Sequence, residues 1–354
     1  MTGRIEQMLA RMSECGFTHA LIQKPQNMRY LTGYTGEGSL LISSQGAVIL
    51  TDFRYIEQAG RQAPGAKVVQ TGRAGQSELL LNMLREAKAD TLAIEEDYLT
   101  MKAGKALRKA LCGVELLDLG GLVEGLRIVK SEDELDRIRQ ACAISCKAFD
   151  HMLGFIRPGL TEREVQLELD YTMLRMGAED IGFATIACAG ENGSLPHAIP
   201  SDRAIRSGEL LTMDFGAKFN GYTADMTRTV AVGHVSDELK KLYYTVLEAQ
   251  KRALDLIGPG VKCCDVDKAA RDYIDAYYPG TFGHSLGHGV GMDVHEQPGL
   301  NVRDDRALVP GHVVTIEPGI YIPGLGGCRI EDMGVIRENG FENFITAPKQ
   351  LIEL

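Results

Sequence analysis

Two domains of different build are predicted by the sequence: an α/β domain over residues 1–125, and an α+β domain over residues 126–354 in which long helices cover a curved antiparallel sheet. Three observations predict this. Short apolar strands alternate with helical periods through the first third of the chain. Long helices with capping signals then interleave with hairpins, and the hairpin that begins near Ser207 is repeated near Pro310. At 354 residues the chain exceeds one ordinary core. Its 44% hydrophobic and 24% charged residues, without a low-complexity tract, are those of a globular protein.

In order, residues 4–15 read as an amphipathic helix stopped by Gly16, with Ala20-Leu21-Ile22 as the first strand. SLLIS and AVILTD read as adjacent strands joined at Ser44-Gln45-Gly46. Tyr55–Gln62 and Ser77–Ala87 read as helices, Thr91–Glu95 as a strand, Met101–Leu111 as a helix and Val114–Leu117 as a strand. No glycine-rich phosphate loop occurs in this stretch. The pattern changes near residue 125. A capping box, Ser131 with Glu134, opens a long helix that Arg157-Pro158-Gly159 ends, and a second box, Thr161 with Glu164, opens a helix to about Met176. A strand from Ile181 to Cys188, the loop GENGSLPHA, helices at Ser236–Leu256 and Asp265–Tyr277, and the two hairpins complete the domain.

The first hairpin is Leu210–Val230. Asn220-Gly221 is a strong two-residue turn signal, so Phe219 faces Tyr222 and Gly216 faces Asp225. Asp214 then shares a sheet face with Asp225 as a diagonal neighbour, roughly 7–8 Å away. Two carboxylates side by side on an apolar sheet resist ionising unless a cation lies between them. The alternative is a surface ion pair of Asp225 with Arg228, with Asp214 capping a turn. Against it stands the repeat: SGELLTMDFGA and PGHVVTIEPGI share a Gly, two apolar residues, a Thr, an apolar residue, an acid and a Gly. The repeat's acids are Glu317 and, downstream, Glu331. Four acids on two hairpins suit a two-metal site.

Between the hairpins, His284 to Glu296 holds three of the eight histidines, His284, His288 and His295, with glycines at 287, 289 and 291 that let backbone approach closely. Each histidine alone is an ordinary structural residue; beside four acids they become candidate ligands and acids. Asp214, Asp225, His288, Glu317 and Glu331 resemble the five metal ligands of the pita-bread metallopeptidases, the family of aminopeptidase P, prolidase and methionine aminopeptidase. NMRYLTGY and LLISSQGAVILTDFRY are similar to the creatinase-type N-terminal domain found in its proline-directed branch, so the resemblance covers essentially the whole chain.

The resemblance implies a pita-bread catalytic domain behind a creatinase-like N-terminal domain. It implies two divalent metal ions, with Asp214 chelating one, Asp225 and Glu331 bridging both, and His288 and Glu317 completing the other. One imidazole among carboxylates favours Mn²⁺, with Co²⁺ or Zn²⁺ able to substitute. The implied nucleophile is a metal-bridging hydroxide. Glu317 handles its proton, His197 and His295 contact the substrate carbonyl, and His284 and Arg329 line the leaving-group side. The implied activity is Xaa-Pro aminopeptidase, with Xaa-Pro dipeptidase as the alternative. Some prolidases hold the free carboxylate with an Arg after His-Glu-x-Pro, where this chain has Gly299; Arg303 is the other basic residue nearby. Creatinase shares the fold without metals, and some relatives are binding modules that have lost the ligands; five filled positions stand against both.

The net charge of −10 without a basic stripe argues against nucleic acid as a partner. A charged N-terminus and the lack of a long apolar run predict a cytoplasmic protein without membrane contact. The eight cysteines form no C-x-x-C pair and read as reduced thiols; Cys142 and Cys146, one helical turn apart, read as buried face positions rather than metal ligands. A homodimer is the expected assembly for this branch.

Overall fold

The computed structural model describes residues 2–72 and 75–354 and divides into two compact units, Met1–Arg127 and Ile128–Leu354. The first contains α1 (Thr2–Glu14), β1 (His19–Ile22), α2 (Pro25–Thr32), β2 (Ser39–Ser43), β3 (Gly46–Thr51), α3 (Ile56–Gln62), β4 (Lys67–Gln70), α4 (Gln76–Glu86), β5 (Thr91–Ile94), α5 (Met101–Ala110), β6 (Glu115–Asp118) and α6 (Leu122–Arg127). Its mixed six-stranded sheet runs β4-β3-β2-β1-β5-β6, with β1–β2 and β2–β3 antiparallel and the other pairs parallel. Leu21, Leu41, Leu50 and Ile94 of the strands pack with Leu80 and Leu84 of α4. The short helix α2 is not among the expected elements. It starts with Pro25 and no side-chain cap of its own; instead the buried Glu95 carboxylate accepts from the Gln23 and Lys24 backbone and from Asn27 Nδ2. That cap lies about seventy residues away, where local patterning cannot reveal it.

The second unit contains α7 (Glu132–Phe155), α8 (Glu162–Arg175), β7 (Asp180–Ile181), β8 (Ile186–Ala189), a 3₁₀ turn (Gly190–Ser194), β9 (Glu209–Phe215), β10 (Ala217–Phe219), β11 (Tyr222–Thr223), β12 (Met226–Val232), α9 (Asp237–Leu256), α10 (Cys263–Tyr277), β13 (Gly287–Gly289), β14 (Glu296–Leu300), β15 (Val313–Ile316), β16 (Gly319–Ile322), β17 (Gly326–Arg329), β18 (Asp332–Arg337) and β19 (Gly340–Asn343). Both capping boxes form: Glu134 accepts from Ser131 N at 2.9 Å, and Glu164 from Thr161 N at 2.7 Å. Cys142 and Cys146 lie buried on α7. No helix among the described residues is long and apolar enough to cross a membrane.

The duplication is a pair of nested hairpins. In the first, β9 pairs with β12 and the tip is the β10–β11 hairpin; in the second, β15 pairs with β18 and the tip is the β16–β17 hairpin. Phe219 pairs with Tyr222 across Asn220-Gly221, whose φ angles of 47° and 87° are those a two-residue turn of this kind requires. Two expected strands are broken rather than continuous. The strands are interrupted at Gly216 and at Ala224-Asp225, where the arms come so close that a Cβ on Gly216 would stand 1.7 Å from the Ala224 carbonyl oxygen, while the Ala224 N–H still donates to the Ala217 carbonyl at 2.9 Å. The expected strand Ile181–Cys188 is two short strands. β7 pairs with β10 while β8 pairs with β9, so residues 182–185 stand opposite only Phe215 and Gly216 and bulge. α9 and α10 close one side of the core with Leu242, Val246, Val266 and Ile274, against Val314, Ile316 and Ile330 from the second hairpin.

Candidate metal-binding active site

The two hairpins place their acids at the ends of the ladders, where the strands diverge and the side chains share one space. Asp214 sits in β9 opposite Thr227, and Asp225 lies one residue beyond the last pair, Met226 with Phe215. Glu317 and Glu331 lie one residue beyond the last pair of the second ladder, Ile316 with Asp332. The Glu331 N–H donates to the Thr227 carbonyl at 3.1 Å, which stitches the second hairpin to the first. His288 is carried by β13, whose backbone comes close because its glycines carry no Cβ: one at Gly287 would be 2.1 Å from the Thr315 carbonyl oxygen, and one at Gly289 2.3 Å from that of Gln297.

All nine residues singled out in the sequence, Asp214, Asp225, His288, Glu317, Glu331, His197, His284, His295 and Arg329, line one cavity of about 640 Å³. Asp225, His288 and Glu331 each bring a ligand-type atom within 4.8 Å of the other two. His288 Nε2 is 3.2 Å from Glu317 Oε1 and 3.5 Å from Asp225 Oδ2. Its Nδ1 lies 3.1 Å from the Gly289 carbonyl, an acceptor only, so Nδ1 carries hydrogen and Nε2 is the atom aimed at the acids. Arg228, considered in the sequence as a partner of Asp225, instead pairs with Asp332 at 2.8 Å; both are fully buried. Its Nη1 also donates to the Glu331 carbonyl, behind the site.

The electrostatics are those of a site short of positive charge. Burial, reinforced by the charge of Asp214, holds the Asp225 carboxyl well above the usual range, and burial with Asp225 does the same for Glu331. Burial also raises Asp214, against the opposing pull of Arg329. For Glu317 burial is outweighed by the hydrogen bond and charge of His288, which bring it down to about 2. His288 is desolvated, yet Glu317 and Asp225 push it up to about 9. Two cations, Arg329 and His288, thus face four acids. Asp214 Oδ1 and Glu331 Oε1 are buried without a hydrogen-bond partner among the described residues. Hard oxygen donors with orphaned lone pairs, and one imidazole nitrogen facing them, fit divalent cations.

Three polar residues that hold this set were not singled out in the sequence. Thr227 Oγ1 donates to Glu331 Oε2 at 2.7 Å and accepts from Arg329 Nε at 3.1 Å. Thr315 Oγ1 donates to Glu317 Oε1 at 3.1 Å. Tyr321 accepts from Arg329 Nη1 at 2.7 Å and sits 2.8 Å from His284 Nε2. His284 Nδ1 lies 2.8 Å from the Ser285 carbonyl, which leaves Nε2 to accept from Tyr321; burial lowers the His284 pKa and keeps the ring neutral. Repeated Thr in the two hairpin sequences was the one signal that could have found Thr315. His295 is exposed, with its ring centroid 4.4 Å from that of His288, and His197 is exposed in the loop after the 3₁₀ turn. Gly299 lines the cavity beside Asn301, whereas the exposed Arg303 does not.

The described geometry has close counterparts among known proteins. Residues 136–338 match the family model of metallopeptidase family M24, and residues 4–129 match that of the creatinase/prolidase N-terminal domain. An uncharacterised peptidase, YqhT, of Bacillus subtilis is 41% identical, over 99% of this chain and 100% of its own length. The structure of a Xaa-Pro dipeptidase from Bacillus anthracis superposes with a TM-score of 0.95 at 42% identity, covering 100% of this chain and 99% of that one. An X-Pro aminopeptidase from Thermotoga maritima gives 0.90 at 35% identity, covering 99% and 100%. The chain therefore belongs to metallopeptidase family M24, with the pita-bread catalytic fold behind a creatinase/prolidase N-terminal domain.

Proposed function

We propose that this protein is a Xaa-Pro aminopeptidase that removes an N-terminal residue preceding proline from peptides of three residues or more. Asp214, Asp225, His288, Glu317 and Glu331 hold two divalent metal ions, Mn²⁺ first and Co²⁺ or Zn²⁺ as substitutes. When bound, the pair supplies Lewis acidity at the scissile carbonyl and a water acidic enough to attack at neutral pH. Glu317, kept ionised, receives the proton of the attacking water on its carboxylate and delivers it to the leaving proline nitrogen. His197 and His295 donate to the oxygen on which charge develops, and neutral His284 with Arg329 lines the leaving-group side. Phe183, Ile186, Ile199 and Val294 give that cavity apolar walls that can accept a ring lacking an N–H.

The observation that carries the length preference is the absence of an uncommitted cation. Among the described residues, Arg329 is the only Lys or Arg lining the cavity, and it is spent on Asp214, Thr227, Tyr321 and the Pro196 carbonyl. A dipeptide brings a carboxylate to this space and needs such a partner; a longer peptide brings a neutral amide. The second reading is Xaa-Pro dipeptidase, supported by the name of the 42% identical Bacillus anthracis protein. Hydrolysis by Mn²⁺-reconstituted protein decides: cleavage of a Xaa-Pro-Xaa tripeptide at the Xaa-Pro bond is expected, and cleavage of the dipeptide alone assigns the second reading. A homodimer is proposed as the working assembly; sedimentation giving only monomer at micromolar concentration refutes it.

A further inference from the structure

We propose that Lys130 is a positioning residue for His295, acting through the carboxylate of Glu296. Lys130 Nζ lies 3.1 Å from Glu296 Oε2, and the two side chains are 1% and 9% exposed. The other oxygen, Oε1, accepts from the Met292 N–H at 2.9 Å and the Asp293 N–H at 3.1 Å. The turn 291–295 is therefore wrapped on the carboxylate of the residue that follows it. Gly291 makes the wrap possible, since a Cβ there would fall 2.5 Å from Glu296 Oε2. The same turn is tied to the first hairpin by Thr223 N–H donating to the Gly291 carbonyl at 2.8 Å. His295 is the last residue of the turn, so fixing 291–293 and 296 fixes its backbone and aims its ring at His288.

Lys130 is itself anchored. Its N–H donates to the Gly311 carbonyl at 2.9 Å, in the turn that leads into β15 and on to Glu317. One residue thus joins the two segments, its ammonium on the turn carrying His295 and its backbone N–H on the turn that leads to the strand delivering Glu317. A carboxylate this buried holds its backbone donors best while its charge is balanced. Without the ammonium it takes up a proton or water, the turn loosens, and His295 loses its aim. The proposal rests on the reading of His295 as a contact to the reacting carbonyl.

The test has a kinetic arm and a spectroscopic arm. Lys130→Met is expected to lower kcat on the tripeptide on the order of 10- to 100-fold with a smaller change in KM, and Lys130→Arg to recover part of the loss. In a His295→Asn background, Lys130→Met is expected to cost nothing further. The near-isosteric neutral pair Lys130→Met with Glu296→Gln keeps an acceptor for the two N–H groups and is expected to return kcat to within a few-fold of wild type. In metal-free protein without substrate, the ring ¹⁵N signals of His295 are expected to move in Lys130→Met while those of the distant, exposed His234 stay fixed. A kcat within twofold of wild type, losses that multiply in the His295→Asn background, or an unmoved His295 ring each overturn the proposal. Absence of tripeptide cleavage by the wild type overturns the aminopeptidase reading instead, and the ring signals still report on the positioning.

Discussion

Arg329 Nη2 stands 2.6 Å from Asp214 Oδ2 in a space where the arginine side chain is only 3% exposed. The same guanidinium reaches Thr227, Tyr321 and the Pro196 carbonyl. It is both the counter-charge of one acid and the hub for two hydroxyls. A lysine keeps the charge and loses the fork. Arg329→Lys is expected to lower kcat/KM about 100-fold or more, with metal content reduced because Asp214 is no longer aimed; elemental analysis with kinetics checks both.

Thr227 is uncharged, yet it touches both halves of the site. Thr227→Val keeps the volume and removes the hydroxyl between Glu331 and Arg329. Metal affinity is expected to fall roughly 10- to 100-fold, read by titration of the metal-free protein, with little loss of fold stability in the loaded form.

Metal uptake is expected to release protons. Asp225 and Glu331 are held well above the usual carboxylate range, and His288 is raised to about 9, so metal-free protein holds at least the His288 proton at neutral pH, which the ligating form must shed. Affinity therefore rises with pH through the window below about 9. Calorimetric titration of metal-free protein in two buffers of different ionisation enthalpy measures the number released; zero at pH 7 contradicts a protonated His288.

His312 offers a pH effect away from the acids. Burial, with Lys130 adding to it, pushes its pKa down to about 4, from an ordinary 6.5. The fold holds the ring neutral while the unfolded chain takes a proton, so the stability it contributes is complete above 6.5 and is lost as pH falls from 6.5 towards 4. His312→Asn keeps an acceptor for the Val309 N–H and removes that titration. Urea midpoints of metal-free protein at pH 7 and pH 5 are expected to fall less for the variant than for wild type.

Peptide length can be shifted at Gly299. A side chain there meets Asn301 Nδ2, 2.6 Å from the Cβ position, which is the movable end of a side chain. Gly299→Arg supplies the missing cation, and the ratio of dipeptide to tripeptide kcat/KM is expected to rise about tenfold or more.

What the sequence showed and what it hid follow from the range of each interaction. The Asn220-Gly221 turn fixes register locally, so the pairing of Phe219 with Tyr222 and the shared face of Asp214 and Asp225 were legible before any coordinates. So were both capping boxes, each closed within three residues. The break at Gly216 was not, because it lies where the hairpin arms approach each other closely rather than at a change in residue pattern. Helix α2 was missed because its cap, Glu95, is remote. Lys130 and Glu296 are 166 residues apart, and Tyr321 is an ordinary strand aromatic until Arg329 and His284 fold against it. The candidate ligands could be found because acids and histidines are rare on apolar hairpins; the hydroxyls that aim them are common everywhere.

The glycines of β13 set how this protein can vary. An acid of the proposed metal site exchanged for its amide is expected to lose metal binding while leaving every backbone contact in place. At Gly287 and Gly289 even one added carbon collides with a carbonyl oxygen of a neighbouring strand. Descent with change therefore has an open route to a folded, inactive shell through the acids and a closed one through the glycines, and in a library of all single variants these two columns should be emptier than those of the ligands wherever survival is scored by folding alone.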